Sequence, residues 1–158
     1  MATAGAYLSQ SGDSFDDYLE LHNNSWNDLS QHSDGPVDFE ERTLYSTWNV
    51  SFQQVQDLDP AAADLLKLMA YLDNQYLWYE LFQAGASDIP VWWGELLSSR
   101  ARFNQALSRL HSYSLLEVSE GRYSLHTCVH DWTLEHLNHR FDQEGCGIAI
   151  HGVAASVS

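Results

Sequence analysis

Between Phe103 and Phe141 the hydrophobic period changes from helical to strand-like and back, and few folds accept that order. Phe103, Leu107, Leu110 and Tyr113 recur at helical spacing. Leu115, Leu116 and Val118 then shift toward strand-like composition, and Tyr123 and Leu125 alternate with Ser124 and His126 at a period of two. Glu120-Gly121 marks a turn between the two stretches. From Asp131 the helical spacing returns, through Trp132, Leu134, Leu137 and Phe141. Helix, strand, tight turn, strand, helix, after several shorter helices, is the order of a winged helix with a small two-stranded wing.

Everything upstream reads as helix. Ser14 suits an N-cap, with Asp17 three residues on in a box-like position, and Phe15, Tyr18, Leu19, Leu21, His22 and Trp26 follow at roughly helical spacing. Residues 32–38 contain Ser33, Asp34, Gly35 and Pro36 and predict a loop. A second helix over 39–56 carries the stripe Leu44, Trp48, Phe52 and Val55. Asp59 can cap the next helix, and Pro60 suits its first position because the missing N–H costs nothing there. That third helix spans 61–72 with Leu65, Leu66, Leu68, Met69 and Leu72 inward. A fourth over 77–82 closes at Gly85, Ile89-Pro90 breaks the path, and a short fifth covers 91–97. The expected fold is therefore mainly α: a helical subdomain over 1–58, a winged-helix domain over 59–141, and a small-residue tail over 142–158 that starts a further region. Residues 1–8 read as the end of an apolar helix without a cap, so the chain is expected to be a piece of a longer one.

Charge narrows the function classes. The chain has 22 acidic residues against 7 basic ones, and residues 1–60 hold 11 acids and the single base Arg42. Such a field repels nucleic acid and anionic lipid, and it suits either solubility or a basic partner. Arg100, Arg102, Arg109 and Arg122 around the candidate recognition helix and wing keep winged-helix DNA binding as the alternative, although Glu95, Glu117 and Glu120 offset them. No apolar run approaches the roughly 18 residues that a membrane span needs. Two cysteines, Cys128 and Cys146, are too few for a disulfide framework, and a cytoplasmic location is expected.

Catalytic and metal chemistry find little support. No nucleophile elbow and no H-E-x-x-H is present, so the chain is expected not to be an enzyme. His126, Cys128 and His130 would share one face of a strand, with His136 and His139 nearby on a helix, but their spacing matches no common structural zinc pattern. No metal site is expected. The aromatic group Trp78, Tyr79, Trp92 and Trp93 reads as core between short helices, with an exposed partner surface as the other option.

Several segments, taken in order, resemble a known family. Thr47-Trp48-Asn49-Val50-Ser51-Phe52, Asp59-Pro60-Ala61-Ala62-Ala63 and Ala70-Tyr71-Leu72-Asp73-Asn74-Gln75 are similar to the helical segment that follows the nucleotide module of fungal NB-ARC proteins. Phe103-Asn104-Gln105-Ala106-Leu107 and the run from Tyr123 to Trp132 are similar to the winged helix of the same proteins, many of which continue into kinesin-light-chain-like TPR repeats. Residues 1–8 resemble the segment after the family's Gly-Leu-Pro-Leu-Ala motif. The likeness covers roughly residues 1–150. Val129-His130-Asp131 stands where the family carries Met-His-Asp, with valine in place of methionine. The resemblance implies that His130 touches the β-phosphate of bound ADP and holds the off state, with Asp131 capping the helix that presents it. No G-x-x-x-x-G-K-[ST] occurs in the chain, so ADP or ATP with Mg would sit on a nucleotide module of the same polypeptide outside these residues. The implied role is a non-catalytic regulatory or interaction module of a signalling ATPase, with that module and other proteins as partners.

Overall fold

The computed structural model describes residues 2–32, 39–72 and 91–138, and these are mainly helical with one small antiparallel hairpin. Of the expected loop over 32–38, His32 is helical; its remainder, the helix over 77–82 with Gly85, Trp78, Tyr79, His139, Phe141 and the tail over 142–158 lie outside the described residues.

Helix α1 runs over Ala2–Ser11 and α2 over Phe15–His32. Ser14 and Asp17 form the expected reciprocal box. Ser14 Oγ donates to Asp17 Oδ2 at 2.6 Å, and the Asp17 N–H donates back to Ser14 Oγ at 3.2 Å. Those Ser14 bonds lower the Asp17 pKa. The α2 stripe is narrower than its spacing suggests. Tyr18 is buried and its ring lies 5.4 Å from Tyr7, whereas Phe15, Leu19 and Leu21 are exposed. Helix α3, Phe39–Leu58, buries Trp48, Phe52 and Val55 as expected but leaves Leu44 exposed. Both differences have one cause: spacing defines a face, but only the neighbouring elements decide how much of it is covered.

Helix α4, Pro60–Met69, starts as the sequence predicts, with the Ala62 N–H donating to Asp59 Oδ1 at 3.2 Å and Pro60 in the first turn. It ends before Leu72, where the Tyr71 and Leu72 N–H groups switch to carbonyls three residues back. Helix α5 is Val91–Leu97, with Trp93 buried. Helix α6, Arg100–Ser112, is capped by Ser99 Oγ, which accepts from the Arg102 N–H at 3.0 Å.

Helix α6 closes without glycine. The Leu115 N–H reaches Leu110 O at 3.0 Å and the Ser114 N–H reaches His111 O at 2.9 Å, a Schellman pair that needs left-handed backbone at Ser114, where φ is 58°. Leu115 and Leu116 are then buried as the chain enters the hairpin. Strands β1, Glu117–Ser119, and β2, Arg122–Ser124, pair with Ser119 opposite Arg122. The two-residue turn carries φ 52° at Glu120 and 75° at Gly121, the signature of a type I′ turn. The last helix, α7, spans Thr127–Trp132 and continues as a π-helical turn over Thr133–Leu137. It begins before the expected start at Asp131, because His126 serves as its N-cap.

The buried side chains form one cluster from Tyr7 to Trp132 that crosses Leu58 without a break. Trp132 sits at its centre, 6.0 Å from the Trp48 ring and 6.1 Å from Phe52.

Two residues in this fold occupy glycine-like backbone without being glycine. Ser114→Gly and Glu120→Asn should each raise unfolding free energy by up to about 1 kcal/mol. Gly121→Ala should lower it by about 1 kcal/mol through backbone strain alone, since an added Cβ would meet nothing within 4 Å. Urea unfolding of the three variants checks the signs. An unchanged midpoint for Ser114→Gly would remove the left-handed cap from the account.

Candidate functional site

His130 lies on α7, inside the helix rather than before it. Its N–H donates to His126 O at 2.9 Å. Val129 and Trp132 on either side are buried and Thr133 Oγ1 donates to Val129 O at 2.7 Å, so the turn carrying His130 is held against the core. The His130 ring is half-buried, and its Nδ1 faces Asp131 Oδ1 at 3.2 Å. Among the described residues Nε2 makes no hydrogen bond. Asp131 is exposed and belongs to the helix body. It does not cap α7, contrary to expectation. The cap is His126, whose Nδ1 accepts from the Cys128 N–H at 3.3 Å. Histidine is outside the usual set of capping residues, which is why the sequence placed the helix start at the first carboxylate it met.

The same helix removes the geometric premise of the zinc reading. His126, Cys128 and His130 alternate in sequence, but residues 127–132 are helical, so the three do not share a strand face. Among the described residues no three His, Cys, Asp or Glu side chains gather in a way that could hold a metal ion. Of the aromatic group, Trp93 is part of the core.

Two of the four arginines turn toward one carboxylate. Arg102 makes a two-pronged contact with Asp59, Nη1 to Oδ2 at 3.0 Å and Nη2 to Oδ1 at 2.8 Å. Arg109 Nε stands 3.9 Å from the same carboxylate. The sequence assigned Asp59 only a capping role; the structure adds an ion pair that joins α4 to α6. Burial of Asp59 works against its charge. The Arg102 hydrogen bonds, the Ala62 N–H and the charges of Arg102 and Arg109 outweigh that and hold the carboxyl below its ordinary value. Two of the four cations offered for DNA are therefore directed at a carboxylate of the protein itself.

No protein-family model matches the chain, and no curated protein or solved structure matches it. Among the described residues no helix is long and apolar enough to cross a membrane.

Asp59→Asn keeps a capping oxygen but loses the ion pair, and should cost about 2 kcal/mol at pH 7. A carboxyl with a depressed folded pKa stabilises the fold above its unfolded value and loses that contribution as pH falls through the folded one. The gap between the protein and Asp59→Asn should thus be full at neutral pH and shrink below about pH 4. Paired urea titrations across that range check it; a pH-independent gap would mean that the pair is not the source of the loss.

Proposed function

We propose that this chain is the helical and winged-helix regulatory part of an NB-ARC-type signalling ATPase, and that it performs no catalysis of its own. One observation carries the reading: His130, on the helix that follows the hairpin, is held in place by a buried turn and directs one ring nitrogen to Asp131 while the other remains available. The order α6, hairpin, α7 supports a winged-helix assignment. The motif Val129-His130-Asp131 supports the family assignment. Valine at 129 is compatible with it, because that side chain goes into the core and leaves the polar pair outside.

In this reading a nucleotide module of the same polypeptide docks against the α7 side, in the cytoplasm. That module would supply the phosphate-binding loop and the Mg site, since the sequence carries no G-x-x-x-x-G-K-[ST]. His130 can reach a terminal phosphate of a bound nucleoside diphosphate. Its ring would keep Nδ1 toward Asp131 and turn Nε2 to a phosphate oxygen. Asp131 thereby sets the ring's orientation. A nucleoside triphosphate needs the space that the imidazole occupies, so exchange would weaken docking and shift the population toward a released arrangement. Other proteins would then read which arrangement prevails. DNA binding is the less favoured reading, because Arg102 and Arg109 face Asp59.

Two measurements test this. Sequencing the transcript upstream of the Met1 codon should reveal an in-frame G-x-x-x-x-G-K-[ST]; in-frame stop codons there would overturn the reading. In the polypeptide so defined, His130→Ala should speed ADP dissociation about tenfold, the worth of one charge-assisted hydrogen bond. An unchanged rate would remove His130 from nucleotide sensing.

A further inference from the structure

The hairpin leaves one backbone edge without a partner. Ser119 pairs with Arg122 across the two-residue turn, Val118 with Tyr123, and Glu117 with Ser124. Antiparallel pairs alternate between those that exchange hydrogen bonds and those that exchange none, and the pair flanking a two-residue turn exchanges them. Val118 therefore turns its N–H and C=O away from β2. Among the described residues neither group has a hydrogen-bond partner, and the Val118 side chain is 43% exposed. Leu116, the previous position of the same orientation, already uses its carbonyl, which accepts from His111 Nδ1 at 2.8 Å. The open edge thus begins at Val118 and runs toward the turn.

The neighbouring side chains decide which chain fits. Glu117, Ser119, Arg122 and Ser124 share the outer face of the hairpin and line a cavity of about 350 Å³, which Glu120 joins from the turn and Val118 does not line. Among the described residues Glu117 and Glu120 make no hydrogen bond or ion pair. Arg122 is the one guanidinium on this cavity, against two carboxylates. An open strand edge pairs with any extended chain unless something selects among them. Here the two carboxylates beside the open position, on a chain with a formal charge of −15, disfavour an acidic strand or a second copy and favour a cationic one. Directly opposed residues lie about 5 Å apart at Cβ, so a cation placed opposite Glu117 reaches it.

We propose that the β1 edge takes up an extended segment of a basic partner protein as a third, antiparallel strand. A β-branched apolar residue of the partner lies opposite Val118 and exchanges two hydrogen bonds with it, which only the antiparallel arrangement achieves through a single residue. The partner residue after it then falls opposite Glu117, and the one two before it falls beside Glu120. Lysine or arginine suits both places. Backbone pairing gives the affinity, and the carboxylates choose the chain. Neither Val118 nor Glu117 belongs to the turn that carries His130, so the inference stands apart from the nucleotide reading.

The test is fluorescence anisotropy at about 150 mM salt, where attraction between exposed charges reaches only about 8 Å. The probe is a fluorescein-labelled peptide with the central run lysine-threonine-valine-lysine between serines. Saturable binding is expected. N-methylation of the peptide's valine removes the N–H that faces Val118 and should weaken binding about fivefold. N-methylation of the lysine after it, whose N–H points away from β1, should change binding less than about twofold. Val118→Pro removes the outward donor but leaves the hairpin ladder, in which that N–H takes no part, and should also weaken binding about fivefold. Glu117→Gln with Glu120→Gln should do the same. Asp16→Asn with Glu20→Gln removes equal charge from exposed α2 positions and should change binding less than about twofold. Circular dichroism of each variant verifies the fold. Equal weakening by the two N-methylations or by the two charge pairs, full binding by Val118→Pro, or no saturation would each overturn the proposal. So would a dimer of the chain that Val118→Pro abolishes, because the edge would then belong to a second copy.

Discussion

The carboxylate of Asp59 is the point on which the arrangement of helices turns. It accepts the Ala62 N–H that starts α4, and it receives the guanidinium of Arg102 from α6. One side chain therefore sets both where a helix begins and how a second helix lies against it. A buried carboxylate without partners is costly, and a partly buried arginine without one is nearly as poor. Each is tolerable only in the register that brings them together. The two-pronged ion pair fits only one register of α4 against α6. Hydrophobic burial gives the bulk of the stability, while this pair selects one packing among several of similar area.

That division explains what the sequence made legible. Ser14 with Asp17, Asp59 with Pro60, and Glu120 with Gly121 are local signals, and each stands where its chemistry placed it. Signals that span distance were not legible. The partners Asp59 and Arg102 are 43 positions apart, and nothing in either neighbourhood announces the other. The end of α6 was readable only from the change of period after Tyr113, because Ser114 adopts glycine's backbone without being glycine. At the candidate site, the family resemblance pointed to His130 and Asp131, but Asp131 does not carry out the capping expected of it. The true cap, His126, uses a residue type that propensity does not flag.

The two unusual left-handed residues bracket the first strand of the hairpin. Ser114 turns the chain out of α6 and Glu120 turns it back, and between them Leu115 and Leu116 enter the core. A three-residue strand pair is too short to be stable alone. Its position depends on those two leucines before it, Leu125 after it, and the Tyr123 hydroxyl, which donates to Asn104 Oδ1 at 3.1 Å on α6. The strain at Ser114 and Glu120 is thus carried by contacts outside the hairpin, and the hairpin in turn delivers the chain to His126 at the start of α7.

Helix α3 borders both the core behind α7 and a surface groove lined from α1, α2 and α3. Trp48 and Phe52 contact Trp132, which holds α7 and with it His130. Asn49 and Gln53, each the next residue along, line the groove. Adjacent helical residues point about 100° apart, so one turn of α3 serves the core on one side and the groove on the other. Proximity alone is not coupling, which requires an element with two arrangements that both surfaces bias. The side chains of Trp132, Val55 and Phe52 are almost wholly enclosed, and a close-packed contact of this kind resists gradual displacement.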